Sequence, residues 1–137
     1  MVREEIGKLL EARGILATPQ RMEIAALMLS CHQHLSADQV LARVNQNGAA
    51  VSKATVYNTL GLFAEKGLLR QVIVDPTKVF YDSNVSTHHH FYNVDSGLLT
   101  DIDAAECSVA KLPELPPGTV ADGVDVIVRI RNAHAAA

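Results

Sequence analysis

Along the first half of the chain, apolar residues recur at helical spacing. Ile6, Leu9 and Leu10 predict a first helix that Gly14 ends. Thr18 before Pro19 predicts a restart, with a hydroxyl N-cap followed by a residue that lacks an N–H where none is needed. Met22, Ile24, Ala25, Leu27 and Met28 then form a buried stripe up to Ser30. Ser36 opens a third helix, with Asp38 in its first turn and Val40, Leu41 and Val44 facing inward, and Asn45-Gln46-Asn47-Gly48 stops it. Ser52 opens a fourth, in which Val56, Leu60 and Phe63 share the core face and Gly67 ends the run. The opposite face carries Ala54, Thr55, Tyr57, Asn58 and Gly61, nearly free of the Glu and Lys that lace a solvent-only face.

Periodicity then shortens. Residues 68–74 (LLRQVIV) and 79–82 (VFYD) read as two strands joined by the turn Asp75-Pro76-Thr77-Lys78. Helices followed by a two-stranded hairpin follow the order of a winged helix-turn-helix, with residues 52–66 as the helix for a DNA major groove. On that helix Ser52, Thr55, Tyr57 and Asn58 suit base-edge and phosphate contacts, while Lys53, Lys66, Arg70 and Arg21 are placed to neutralise phosphates. The same order also serves protein contacts, so pattern alone leaves both uses open.

Residues 88–94 (HHHFYNV) alternate as a strand, which puts His88, His90 and Tyr92 on one side and His89 and Phe91 on the other. With Ser96-Gly97 as a two-residue loop flanked by Asp95 and Leu98, Asp101 falls opposite Tyr92 and Asp103 opposite His90. Two imidazoles and a carboxylate on one face suit a divalent transition metal, Fe²⁺ or Mn²⁺ as well as Zn²⁺. A last apolar strand is expected within Val124 to Ile130.

Composition sharpens this picture. The chain has 137 residues, 48% of them hydrophobic, enough for a packed core. Its net charge of −3 argues against nucleic acid until the halves are separated. Residues 1–70 hold eight Lys/Arg and six acids, whereas 71–137 hold four and nine: a mildly basic front and an acidic rear able to attract cations. The two cysteines, Cys31 and Cys107, cannot build a disulfide framework or a Cys₄ zinc site, and read as small core or surface residues. No apolar run reaches membrane length and no leader is evident, so a cytoplasmic protein without membrane partners is expected.

TPQR at 18–21, HLSAD at 34–38, ATVYNTL at 54–60 and the HHH…D pattern at 88–101 together resemble the ferric uptake regulator (Fur) family, in order and over nearly the whole chain. The resemblance implies an α+β fold: a winged-helix DNA-binding domain over 1–82 and a small α/β metal-sensing and dimerisation domain over 83–137. It implies a homodimeric, metal-dependent repressor, not an enzyme, that binds an inverted-repeat operator. The family's regulatory metal site maps onto His34, Asp82, His88, His90 and Asp101, holding one divalent ion per subunit. Aspartate at both 82 and 101 resembles the peroxide-sensing (PerR-like) branch, whereas residues 88–103 with 124–131 resemble the iron response regulator (Irr) branch. Peroxide and iron or haem status both stand as signals, and His89 is a candidate for haem or a second metal.

Departures are informative too. Asn93 and Ser96 stand where many members carry a Cys-x-x-Cys pair for structural zinc, so no structural Cys₄ zinc is expected. Ser108 and Asp125 replace the ligands of a further site known in some relatives, and Leu16 replaces a basic residue before TPQR. Cys107 precedes Ser108, not proline, so a Cys-Pro haem motif is absent. Two other classes use the same ligands: a small His/Asp non-haem iron enzyme, and a metal- or haem-buffering protein. Neither a substrate pocket nor a general base is evident for the first, and function retained after mutation of Tyr57 and Asn58 would favour the second.

Overall fold

A computed structural model describes residues 2–134 except 47 and 49, in two compact units, Met1–Val85 and Ser86–Ala137. In the first unit the helices are α1 (Arg3–Ala12), α2 (Pro19–Leu29), α3 (Ala37–Gln46) and α4 (Lys53–Glu65). Their starts follow local chemistry. Thr18 Oγ1 accepts the Arg21 N–H at 3.3 Å, and Ser52 Oγ accepts the Thr55 N–H at 3.1 Å. Ser36 and Gln39 form a reciprocal capping box, the Ser36 N–H donating to Gln39 Oε1 and the Gln39 N–H to Ser36 Oγ.

Ile6, Leu10, Ile24, Met28, Val40, Val56, Leu60 and Phe63 meet in one core with essentially no exposure. Each such side chain stabilises the fold by about 1.5–3 kcal/mol relative to an exposed one. The wing is a three-stranded sheet, β1 (His34–Ser36), β3 (Lys78–Asp82) and β2 (Arg70–Asp75), with β3 in the middle. The β2–β3 turn forms as expected, Asp75 Oδ1 accepting the Thr77 N–H at 2.8 Å. Strand β1 lies outside the two-stranded expectation, because three residues are too few to show alternation. Its register sets His34 opposite Asp82.

In the second unit β4 (His89–Asn93) lies between β5 (Leu99–Ile102), antiparallel to it, and β6 (Ile127–Ile130), parallel to it. Among the described residues all helices belong to the first unit, and the rear contributes strands and an irregular segment over 103–126. Leucines and valines in that segment alternate with Pro113, Pro116 and Pro117, which cannot continue a helix.

The hairpin register differs from the expected one. Asp101 pairs with His90, and Leu99 with Tyr92. The loop holds four residues, 94–97: the Gly97 N–H returns to the Asn93 carbonyl at 2.8 Å, and the Asn93 N–H donates to Leu98 O at 2.9 Å. Asn93 Oδ1 accepts the N–H groups of Asp95 and Ser96, and Gly97 takes φ +73°, a conformation open to glycine at little cost. The resulting slip is two residues, so every side chain keeps its face. Asp103 therefore does not oppose His90; it is spent on a turn, its Oδ1 accepting the Ala105 N–H. The stop residue Asn47 and the tail Ala135 to Ala137 lie outside the described residues.

Candidate metal centre and nucleic-acid interface

Strand alternation delivers His88, His90 and Asp101 to one face of the second unit. Asp101 Oδ1 lies 3.2 Å from His88 Nε2 and 3.2 Å from His90 Nε2. The two rings are 4.5 Å apart and tilted by 57°, and one ligand atom from each of the three residues lies within 4.8 Å of the others. Both histidines are buried, whereas Asp101 remains half exposed.

Donor and acceptor counting shows what this cluster suits. His88 Nδ1 lies 2.7 Å from the Ser86 carbonyl, which can only accept, so Nδ1 carries the proton. A neutral His88 then turns the lone pair of Nε2 onto a carboxylate oxygen, a contact between two acceptors. Neutral imidazole with carboxylate is the donor set of Fe²⁺, Mn²⁺ and Zn²⁺, so the grouping suits such an ion. The carbonyl of Ser86 orients the ring as an outer-sphere partner does in metal sites. Nothing in the sequence singles out Ser86, since a main-chain acceptor leaves no side-chain signature.

In the first unit, the β1–β3 register makes His34 and Asp82 cross-strand neighbours. Asp82 is buried at the end of β3, and its Oδ1 accepts the Asn84 N–H at 2.8 Å. His89 has a different environment from its neighbours. It is buried, and its Nδ1 accepts the Val126 N–H at 2.9 Å, which fixes where the chain enters β6. A metal or haem iron at that nitrogen would have to displace a backbone hydrogen bond.

The candidate interface lies on the first unit. Arg21, Thr55 and Asn58, with Thr18 and Thr59, line one shallow polar concavity between the start of α2 and the exposed face of α4. Thr18 is legible as a cap in the sequence, whereas Thr59, which is buried, carries no such signal. Ser52 is occupied in capping, accepting from the Thr55 N–H and donating to Thr55 Oγ1 at 2.9 Å. Arg21 Nη1 donates to the Leu16 carbonyl at 2.9 Å. Tyr57 is 42% exposed, Lys53 Nζ stands 5.6 Å from its ring centroid, and its hydroxyl donates to Asp38 Oδ1 at 3.1 Å. That hydrogen bond is the main reason the Tyr57 phenol is held above its ordinary pKa. Asp38, expected only as a first-turn acid of α3, is therefore part of this surface.

A sequence profile described as "Ferric uptake regulator family" matches residues 12–114. The peroxide-responsive repressor PerR of Staphylococcus aureus (strain Mu50 / ATCC 700699) is 30% identical over 100 residues, covering 73% of this chain and 67% of that one. Among solved structures, the ferric uptake regulator from Pseudomonas aeruginosa with manganese superposes with a TM-score of 0.68 at 22% identity, covering 98% of this chain and 100% of that one. The ferric uptake regulator from Francisella tularensis with iron gives 0.67 at 20% identity, covering 86% and 92%. At these identities the structural likeness speaks for the fold. Among the described residues, no helix is long and apolar enough to cross a membrane.

Proposed function

Because this chain belongs to the ferric uptake regulator family, whose members are transcription regulators and not enzymes, we propose that it is a metal-dependent DNA-binding repressor. The observation that carries the reading is the convergence of His88 Nε2 and His90 Nε2 on one oxygen of Asp101. His34 and Asp82 complete the ligand set from the first unit, and a divalent ion, Fe²⁺ or Mn²⁺ in the cell and Zn²⁺ also in vitro, supplies the positive charge that draws these donors together.

The chain's own part is conformational. Ligands on either side of the segment between Asp82 and His88 restrict its backbone, and fixing each residue costs about 1–2 kcal/mol that metal binding must offset. With that segment fixed, two copies hold their α4 helices at the spacing of an inverted repeat, where Arg21, Lys53, Thr55, Tyr57 and Asn58 meet DNA. Loss of the ligand set releases the segment and weakens operator binding.

Dimerisation uses the outer edge of β6, which no strand covers among the described residues. Val126 O accepts from the His90 N–H, and Ile130 O from the Val94 N–H, so even-numbered residues turn their backbone groups toward β4. Ile127 and Arg129 turn theirs away. An antiparallel pairing of two copies through those groups puts Val126, Val128 and Ile130 of both on one face. Centred on Val128, it sets Asp125 against Arg131 of the second copy.

A cytoplasmic site of action follows from binding chromosomal DNA. Mobility-shift titration with duplexes recovered from a randomised pool tests the reading: the manganese-loaded protein should bind at least tenfold more tightly than protein stripped with EDTA. Equal binding by both forms would sink it. For the signal we favour peroxide: Fe²⁺-loaded protein exposed to mild peroxide should gain one oxygen atom on His34 or His88 by mass spectrometry. Haem-dependent release of DNA without that gain would point to iron status.

A further inference from the structure

The hydrogen bond between Tyr57 and Asp38 decides which hydrogen-bonding character the exposed face of α4 presents. Asp38 lies on α3 and Tyr57 on α4, and the carboxylate takes the single proton that the phenol can donate. What remains at the phenol oxygen is acceptor capacity. Lys53, one turn earlier on the same helix, stands over the ring and favours this placement. The hydroxyl stays protonated across the working range, because the Asp38 hydrogen bond raises its pKa from an already high ordinary value.

Resting on the reading of α4 as the DNA-contacting helix, we propose that Asp38 is a specificity-determining residue that makes Tyr57 an acceptor, selecting base edges that offer an amino donor and rejecting guanine. In the major groove, adenine N6 and cytosine N4 present donors, whereas guanine presents the acceptors O6 and N7. An acceptor-only phenol matches the first two and meets guanine with two facing lone pairs. A tyrosine with a free hydroxyl would rotate its proton to suit either partner and lose that discrimination.

The placement of Asp38 argues for such a role over simple affinity. A carboxylate beside a DNA-facing surface repels phosphates, so it weakens binding to every sequence alike. As a first-turn acid of α3 it gives that helix some support, but Glu or Asp at a neighbouring first-turn position would do as much. Asp38 is the first-turn acid whose carboxylate receives the hydroxyl of Tyr57.

The test uses the manganese-loaded full chain and duplexes selected from a randomised pool, with sequencing of what each variant recovers. The base position whose preference changes in Tyr57→Phe marks where Tyr57 reads. There the wild type should disfavour guanine by about fivefold, the worth of one ordinary hydrogen bond. Asp38→Ala should flatten that preference at this position alone, and Asp38→Asn, whose side-chain carbonyl still accepts, should restore it while tightening binding to unselected DNA. A wild-type preference retained by Asp38→Ala would overturn the inference, as would Tyr57→Phe changing no position. Should Asp38→Ala fail to fold, Tyr57→Phe and Asp38→Asn decide it between them, since a role in electrostatics alone predicts that Asp38→Asn loses the preference. A wild type that selects no duplex would instead remove the DNA-binding reading, and this inference with it.

Discussion

The side-chain amide of Asn93 donates to the side-chain carbonyl of Asn132 at 2.8 Å, joining positions 39 residues apart. Asn132 also donates its N–H to Asp95 Oδ2 at 2.8 Å, so the β4–β5 turn is fastened to the chain just after β6. Asn93 and Ser96 stand where many family members carry zinc-binding cysteines, and here hydrogen bonds do the fastening. Asn132→Ala should lower unfolding stability by about 1 kcal/mol, while a zinc chelator should leave it unchanged. Urea melts of both, with and without chelator, measure this, and a chelator-sensitive midpoint in protein lacking the regulatory metal would contradict it.

His88→Ala and Asp101→Ala each remove one of three convergent ligands. Manganese affinity should fall by at least tenfold in either, by competition with a fluorescent chelator. His89→Ala should leave that affinity within about threefold, because His89 Nδ1 is engaged with the Val126 N–H. Its effect should appear in stability, at about 1 kcal/mol for the lost hydrogen bond plus the cavity left by a buried ring.

Pairing of two β6 strands centred on Val128 predicts a charge-swap result. Arg131→Glu should raise the dimer dissociation constant by about tenfold, since two exposed ion pairs become two like-charge contacts. The double variant Asp125→Arg with Arg131→Glu should recover the wild-type value by analytical ultracentrifugation. If the double variant dissociates further than the single one, β6 pairs in another register or not at all.

Folding and DNA contact separate on α4. Phe63→Ala should destabilise the first unit by about 3–5 kcal/mol, because the ring is fully buried among Leu60, Val56 and the facing helices. Asn58→Ala, on the exposed face, should shift the thermal midpoint by a degree or two at most and weaken binding to the selected duplex. A large loss of stability from Asn58→Ala would mean that this face is structural.

The chain by itself determined whatever depends on neighbours a few residues away. Caps at Thr18, Ser36 and Ser52, the inward stripe Val56-Leu60-Phe63 and the common face of His88, His90 and Asp101 all follow from bonds and periods that span a turn or two. Even a hairpin loop two residues longer than the spacing suggests leaves that face intact, because a slip of two residues preserves alternation. Tertiary structure decided what joins distant segments. It set His34 against Asp82 through a strand too short to see, gave His89 to the backbone of Val126, spent Asp103 in a turn, and handed the proton of Tyr57 to Asp38. Those contacts depend on which surfaces pack together, a choice made by burial summed over the whole core, and no local spacing encodes it.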